Sequence, residues 1–227
     1  MAVRHERRDL IMKTYKKTII ITTLITLLPI LLGLALWNKL PETIATHWGA
    51  DGQANGWSSK AFAVFGLPCI LAAIHLFTVC ITLNDPKKKN IHKKPLTLVF
   101  WLVPVISIAA NGMTYLLALG IDIDIVSILL ALVGIMFIAL GNYMPKLQQN
   151  YTVGIKLPWT LNSAENWART HRLGGKLFIL GGFLIIFDGF FGRLLGENFV
   201  LALMIVIALA CSAIPMAYSF WLFKKGV

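Results

Sequence analysis

The stretch Lys176-LFILGGFLIIFDGFFG-Arg193 decides the fold of this 227-residue chain. A helix needs about 20 apolar residues to cross a bilayer. This stretch, 177–192, is short, rich in glycine and carries Asp188. Five other stretches, 18–37, 61–83, 96–119, 125–143 and 199–223, are long and apolar enough on their own. If 177–192 crosses as well, there are six spans and the two ends of the chain lie on the same side. If it does not, there are five and the ends lie on opposite sides.

The charges choose between these arrangements. The chain is 57% hydrophobic and 14% charged, with 21 Lys and Arg against 10 Asp and Glu. That is too few charges to cover a soluble surface of this size, and far too much hydrophobicity for disorder. In a soluble protein the net charge of +11 would suggest nucleic acid. In a membrane protein it reports topology, because Lys and Arg are retained on the cytoplasmic side. With six spans, one side receives six basic residues before residue 18, five in the 84–94 loop (Lys87, Lys88, Lys89, Lys93, Lys94), five in 144–176 and two at the end, 18 in all. The other side receives Lys39, Lys60 and Arg193. A five-span arrangement would place Lys224 and Lys225 outside. The sequence therefore predicts an all-α, polytopic integral membrane protein with six transmembrane helices and both termini cytoplasmic. Direct nucleic-acid binding is not expected, and the basic inner face suits anionic lipid. The first span is too long for a signal-peptide core and has no A-x-A-like site after it. Met12 is an alternative start that leaves the topology unchanged. Alternating strands of a barrel and inverted repeats are both absent from the pattern.

Cys69, Cys80 and Cys211 lie inside apolar runs and form no C-x-x-C pair, so they read as small buried hydrophobes. The segment 38–60, NKLPETIATHWGADGQANGWSSK, reads as a compact turn-rich outer loop, with Asp51-Gly52 and Asn55-Gly56 at tight turns and Trp48 and Trp57 at the interface. Asp51 and Asn55 are expected to make Asx turns. His47 and Asp51, with Glu42, would be the only metal candidates, and the intervening glycines argue against aligning them; no metal and no cofactor is expected.

The segment 141–176, GNYMPKLQQNYTVGIKLPWTLNSAENWARTHRLGGK, is too polar to span and too aromatic for a plain linker. Pro158 biases Leu157 to an extended conformation. Asn162 and Glu165 fit a capping box opening a helix near Ser163. On that helix Ala164, Trp167, Ala168 and His171 share a face, beside a stripe of Arg169, Arg172 and Lys176, and Glu165 can pair with Arg169. The pattern predicts an interfacial helix with Trp167 at the headgroups and the stripe on anionic lipid. Pro158, Trp159 and Trp167 would brace an elbow into the fifth span, with Tyr151 and Lys156 adding contacts. A catalytic reading fails on inventory: His171 has no nucleophile or carboxylate beside it in sequence, and Thr170 would face another way.

This stretch resembles the signature region of the SdpI family of bacterial membrane proteins. The matching elements are Gly141-Asn142, Asn150, Gly154-Ile155, Pro158-Trp159-Thr160-Leu161, Trp167, Thr170-His171-Arg172 and Gly175-Lys176. One departure is Lys156-Leu157, where the family usually has Arg-Thr. Upstream, Leu40-Pro41, His47, Gly52 and Lys60 resemble the short domain of unknown function that often precedes it. Together the two cover about a third of the chain. The resemblance divides the chain into a basic cytoplasmic tail, 1–17, an N-terminal helix pair, 18–83, with the outer loop 38–60, and an SdpI-like four-helix region, 84–227, with the cytoplasmic elbow 144–176. It implies a non-enzymatic protein of the bacterial cytoplasmic membrane that confers immunity to a secreted antimicrobial peptide toxin and sequesters a cytoplasmic transcriptional repressor. His47 and Asp51 outside, and Asn150, Pro158, Trp159, Thr160, Trp167, His171 and Arg172 inside, are then the candidate partner-contacting residues.

Ionisable residues inside a membrane are functional candidates by default. Asp188 is the first of these; if deep it needs a partner, for which His75 and Asn111 are available, and if near the outer interface it is simply wet. Gly181, Gly182 and Gly189 are expected at close helix contacts, and Pro29, Pro68, Pro104 and Pro215 at kinks. A small proton-linked transporter or channel using Asp188 and His75 is the competing functional class. A membrane-embedded enzyme working through His47 or His171 is a third.

Overall fold

Two helices, α4 (Ile125–Tyr143) and α6 (Ala164–Phe191), run antiparallel with their backbones in near contact. A Cβ placed on Gly134 would sit 2.5 Å from the carbonyl oxygen of Gly182, and one on Gly182 would sit 2.5 Å from that of Gly134. Gly141 and Gly175 repeat the arrangement at 2.7 Å in both directions. At the far end Ser127 Oγ donates to Gly189 O. The small residues recur every seven positions on each helix (127, 134 and 141 against 189, 182 and 175). That period keeps the same narrow face turned to the partner helix.

These helices belong to a computed structural model that describes residues 2–49, 51–87 and 93–227. Lys88 and Lys89 of the basic 84–94 loop lie outside the described residues. The element order is α1 (Ala2–Ala35), β1 (Thr43–Trp48), β2 (Ala54–Ser59), α2 (Leu67–Leu83), α3 (Lys93–Ala118), α4, α5 (Pro158–Asn162), α6 and α7 (Glu197–Lys224). Among the described residues, six helical segments are long and apolar enough to cross a membrane. Only 22% to 39% of each apolar window is buried inside the protein, so most of that surface is satisfied only by acyl chains.

The chain divides into two compact units. The first comprises residues up to 48, 54–84 and 96–123. Its core packs Leu40, Ile44, Ala63, Val64 and Tyr115. A polar seam runs through it. Thr22 Oγ1 lies 3.0 Å from His75 Nε2, Thr26 donates to Thr22 O at 2.8 Å, and Ser107 donates to Thr26 O at 2.8 Å. Asn111 donates to Ser107 O at 2.8 Å, and Tyr115 to Pro29 O at 3.3 Å. Thr22 and Thr26 bond their hydroxyls back to carbonyls of the preceding turn, so each buried hydroxyl has an acceptor on its own helix.

The segment 38–60, expected as a turn-rich loop, is an antiparallel β-hairpin with Thr43 opposite Ser59 and Ala45 opposite Trp57. Ile44 is buried, while Thr43, His47, Asn55 and Trp57 face outward. Lys60 is 6% exposed; its ammonium donates to Glu42 Oε1 at 2.8 Å and to Trp37 O at 3.2 Å. Pro29, Pro104 and Pro215 lie inside helices as expected. Pro68 instead sits at the start of α2, directly after a π-helical turn over Phe62–Gly66, and the wider turn accommodates its missing N–H.

The second unit comprises 49–53, 85–95 and 124 onward. Here α6 packs on α4 through Gly182 and Gly189. It packs on α7 through Gly181, whose missing Cβ would lie 3.0 Å from Ile207. The expected close contacts at all three glycines are present. Asp124 caps α4 through Ser127 N. The fifth span begins earlier than expected, since α6 starts at Ala164 and runs unbroken to Phe191.

Gly182→Ala forces a methyl group into a backbone and should destabilise the protein by about 1–3 kcal/mol. Gly112→Ala, where a Cβ meets nothing within 4 Å, should be neutral or slightly stabilising. Thermal unfolding of the detergent-solubilised variants measures both, and equal effects would contradict the seam.

Candidate functional site

The elbow between α4 and α6 is built by side chains that hold its own backbone. After Met144–Lys146 the chain leaves helical geometry and returns only at Pro158. Asn150 is fully buried; its Oδ1 accepts from Thr152 N at 3.0 Å and Val153 N at 2.6 Å, and its amide donates to Gln148 O at 2.8 Å. Asp85 closes the same loop from the other side. Its Oδ2 accepts from Tyr151 N at 2.8 Å and from the Thr152 hydroxyl at 2.5 Å, and its Oδ1 from Lys87 N at 2.7 Å. It is 4% exposed, and its charge is spread over three donors.

His171 has a fixed tautomer. Its Nε2 accepts from Ile155 N at 2.9 Å, so it carries no proton, and Nδ1 donates to Trp167 O at 2.8 Å. The ring stacks on Trp167 with centroids 4.0 Å apart. Trp167 donates to Leu147 O at 2.7 Å and packs with Met144 and Leu147. Gly154, at φ +117°, brings the loop over this pair; a side chain there would meet both rings. With both ring nitrogens engaged, His171 has no lone pair left for a metal or a substrate in this arrangement.

Thr160 ties α5 to the loop: it accepts from Leu157 N at 2.9 Å and donates to Ile155 O at 2.9 Å, while Gln149 donates to Thr160 O at 2.8 Å. Leu157 is extended before Pro158, as the sequence predicts. Trp159 donates to Ser219 Oγ at 2.7 Å and lies against Phe220 and Phe223. Asn166 donates to Ser219 O at 2.9 Å and to Val227 O at 3.2 Å, and accepts from Thr170 at 3.1 Å.

Several expectations need correction. The cap of α6 is Ser163, which accepts from Asn166 N at 3.1 Å; Asn162 ends α5 instead. The start of α6 is not an interfacial helix, because Trp167 is 2% exposed and packed within the protein. Its inward face is Asn166, Trp167, Thr170, His171 and Gly174, so Thr170 is buried alongside His171, and Ala164 is exposed. The Glu165–Arg169 pair forms at 2.5 Å. Arg172 is exposed, as are Pro158 and Lys156.

On the hairpin, His47 Nδ1 lies 2.5 Å from Asn55 Oδ1, so Asn55 bonds His47 rather than making an Asx turn. Asp51 does make one, accepting from Gln53 N at 3.0 Å. Among the described residues no group of three His, Cys, Asp or Glu side chains could hold a metal. Asp188 is fully buried, so it is not wet, and neither carboxylate oxygen has a hydrogen-bond partner among the described residues. His75 Nε2 lies with Thr22 Oγ1, and the Asn111 amide donates to Ser107 O.

Sequence reasoning missed Asp85, Thr152, Asn166 and Ser219. Only Asp85 carried a local signal, as the Asp-Pro dipeptide favours a turn.

Six membrane-length helices and a buttressed elbow define a multi-pass membrane protein, and comparison with known proteins places it among those of bacteria. Residues 146–219 match the SdpI/YfhL protein family, and residues 24–72 match a domain of unknown function (DUF1648). The resemblance drawn from the sequence is thus confirmed over the elbow, α6 and most of α7. Over 206 residues the chain is 29% identical to a protein named immunity protein SdpI from Bacillus subtilis; the match covers 91% of this chain and 96% of that relative. No solved structure matches.

Asp85→Ala removes the acceptor of three donors. The Tyr151 and Lys87 amides, which donate to that carboxylate, should then exchange about 10–100-fold faster, from a loss of about 1.5–3 kcal/mol per charged hydrogen bond. Hydrogen exchange followed by mass spectrometry measures it, and unchanged protection would remove Asp85 from the loop's support.

Proposed function

We propose that this protein is a non-enzymatic immunity and signal-transduction protein of the bacterial cytoplasmic membrane. It protects its cell from a secreted antimicrobial peptide toxin and captures a cytoplasmic transcriptional repressor at the membrane. The observation that carries this reading is the match to an immunity protein across nearly the whole of both chains. The elbow supports it. Its buried polar side chains hold loop and helix backbone in a fixed shape, which suits a surface that presents contacts and leaves no free nucleophile–base pair. In this reading both termini and the 144–176 elbow are cytoplasmic and the hairpin lies outside, following the distribution of Lys and Arg. His47 and Trp57 present the outer contact surface, with Asp51 a separate outer candidate; Tyr151, Pro158 and Arg172 present the inner one. Asn150, Thr160, Trp167 and His171 position that inner surface from beneath.

Cells expressing the protein should survive a cognate peptide toxin that kills cells lacking it, and equal killing across candidate toxins would sink the immunity role. Thiol labelling in a background without the native cysteines reads the topology. Asp51→Cys should react with an impermeant reagent on intact cells, and Lys156→Cys only after permeabilisation.

One observation favours a second reading, a small proton-linked transporter or channel: the fully buried Asp188 carboxyl has no hydrogen-bond partner among the described residues. Proton flux into liposomes carrying the wild type, abolished by Asp188→Asn, would support it; no flux in either removes it.

A further inference from the structure

Beside the glycine seam, α4, the Met144–Lys146 turn, α6 and Tyr218 of α7 line an open cleft of about 840 Å³. Four cations line it, Lys146, Arg169, Arg172 and Lys176, and no carboxylate does. Arg169, Arg172 and Lys176 follow one another at i, i+3 and i+7, so they share one side of α6. Arg169 is paired with Glu165, and the Lys146 ammonium lies 5.3 Å from the Tyr143 ring centroid. Arg172 and Lys176 make no ion pair among the described residues. Like charges four apart on a helix repel one another. Gly141 and Gly175 contribute backbone to its wall, beside the side chains of Pro145 and Ile179.

The wall also carries apolar side chains from α6. Leu173 and Ile179 add apolar surface beside the cations, with Ile179 deepest in the membrane-length segment. A free anion would use the charges alone. An acidic peptide would leave the apolar side chains facing its own polar backbone. An amphiphile with an anionic head matches both.

We propose that this cleft binds one anionic phospholipid, its phosphate held by Arg172 and Lys176 and an acyl chain lying along Leu173 and Ile179. The site depends only on the helices being in a membrane and not on the immunity reading or on which side the elbow faces.

The test uses the full chain purified in detergent, titrated with phosphatidylglycerol or with phosphatidylcholine of the same acyl chains. Retained lipid is counted by native mass spectrometry. One phosphatidylglycerol should be retained in preference to phosphatidylcholine. The double variant Arg172→Gln/Lys176→Gln should weaken that retention roughly thirtyfold, and Lys224→Gln/Lys225→Gln should leave it unchanged. Lys176→Glu alone should abolish the preference, which guards against misfolding of the double variant. Equal retention of the two lipids, equal weakening by both double variants, or displacement of the lipid by equimolar glycerol phosphate or a polyglutamate peptide would each overturn the proposal.

Discussion

The backbone contact between α4 and α6 is the constraint on which the second unit depends. Helix association in lipid gains nothing from burying apolar surface, because acyl chains are as apolar as leucine. What remains is close packing and hydrogen bonding. Gly134, Gly141, Gly175 and Gly182 remove the side chains that would hold the helices apart, and Ser127 adds a hydrogen bond to Gly189 O at one end. At the other end the seam runs directly into Met144, Pro145 and the elbow, so the position of the elbow is set by the registry of the seam.

The elbow is then held by a second kind of interaction. A loop of about a dozen residues without regular structure carries many backbone N–H and C=O groups that need partners. Asn150, Asp85, Thr160 and His171 supply them with side-chain atoms, each buried and each bonded to backbone. Several of the residues that carry the resemblance to the SdpI family fall on or against these supports: Asn150, Gly154, Thr160, Trp167 and His171. Their shared role here is to fix a shape, while Tyr151, Pro158 and Arg172 present it.

The spans were legible because hydropathy over 20 residues is a strong signal, and the Lys and Arg count resolved the ambiguous stretch before Arg193. The start of α6 near Ser163 was legible, but the burial of its first turns was not, because Glu165, Arg169 and Arg172 made them look like a surface helix. The buried polar residues between them, Asn166 and Thr170, are satisfied by Ser219 O, by Val227 O and by each other, and such partners more than 50 residues away leave no trace in local pattern. The turn of the hairpin was readable from Asp51-Gly52; its strands were not, since six residues with one buried side chain give little alternation. The seven-residue spacing of glycines was present in the sequence, but only Gly181, Gly182 and Gly189 were read as packing positions. The spacing becomes meaningful once α4 is known to lie opposite.

The seam has a mechanical consequence. Helices separated by side chains can roll or slide by exchanging rotamers. Backbones in direct contact have no such compliance, and a slip of either helix would drive a carbonyl into a Cα. From Ser127 to Gly141 this stiffness extends over about 21 Å at 1.5 Å per residue. The pair is therefore a stiff strut that holds the elbow at a set distance from the Asp124 end.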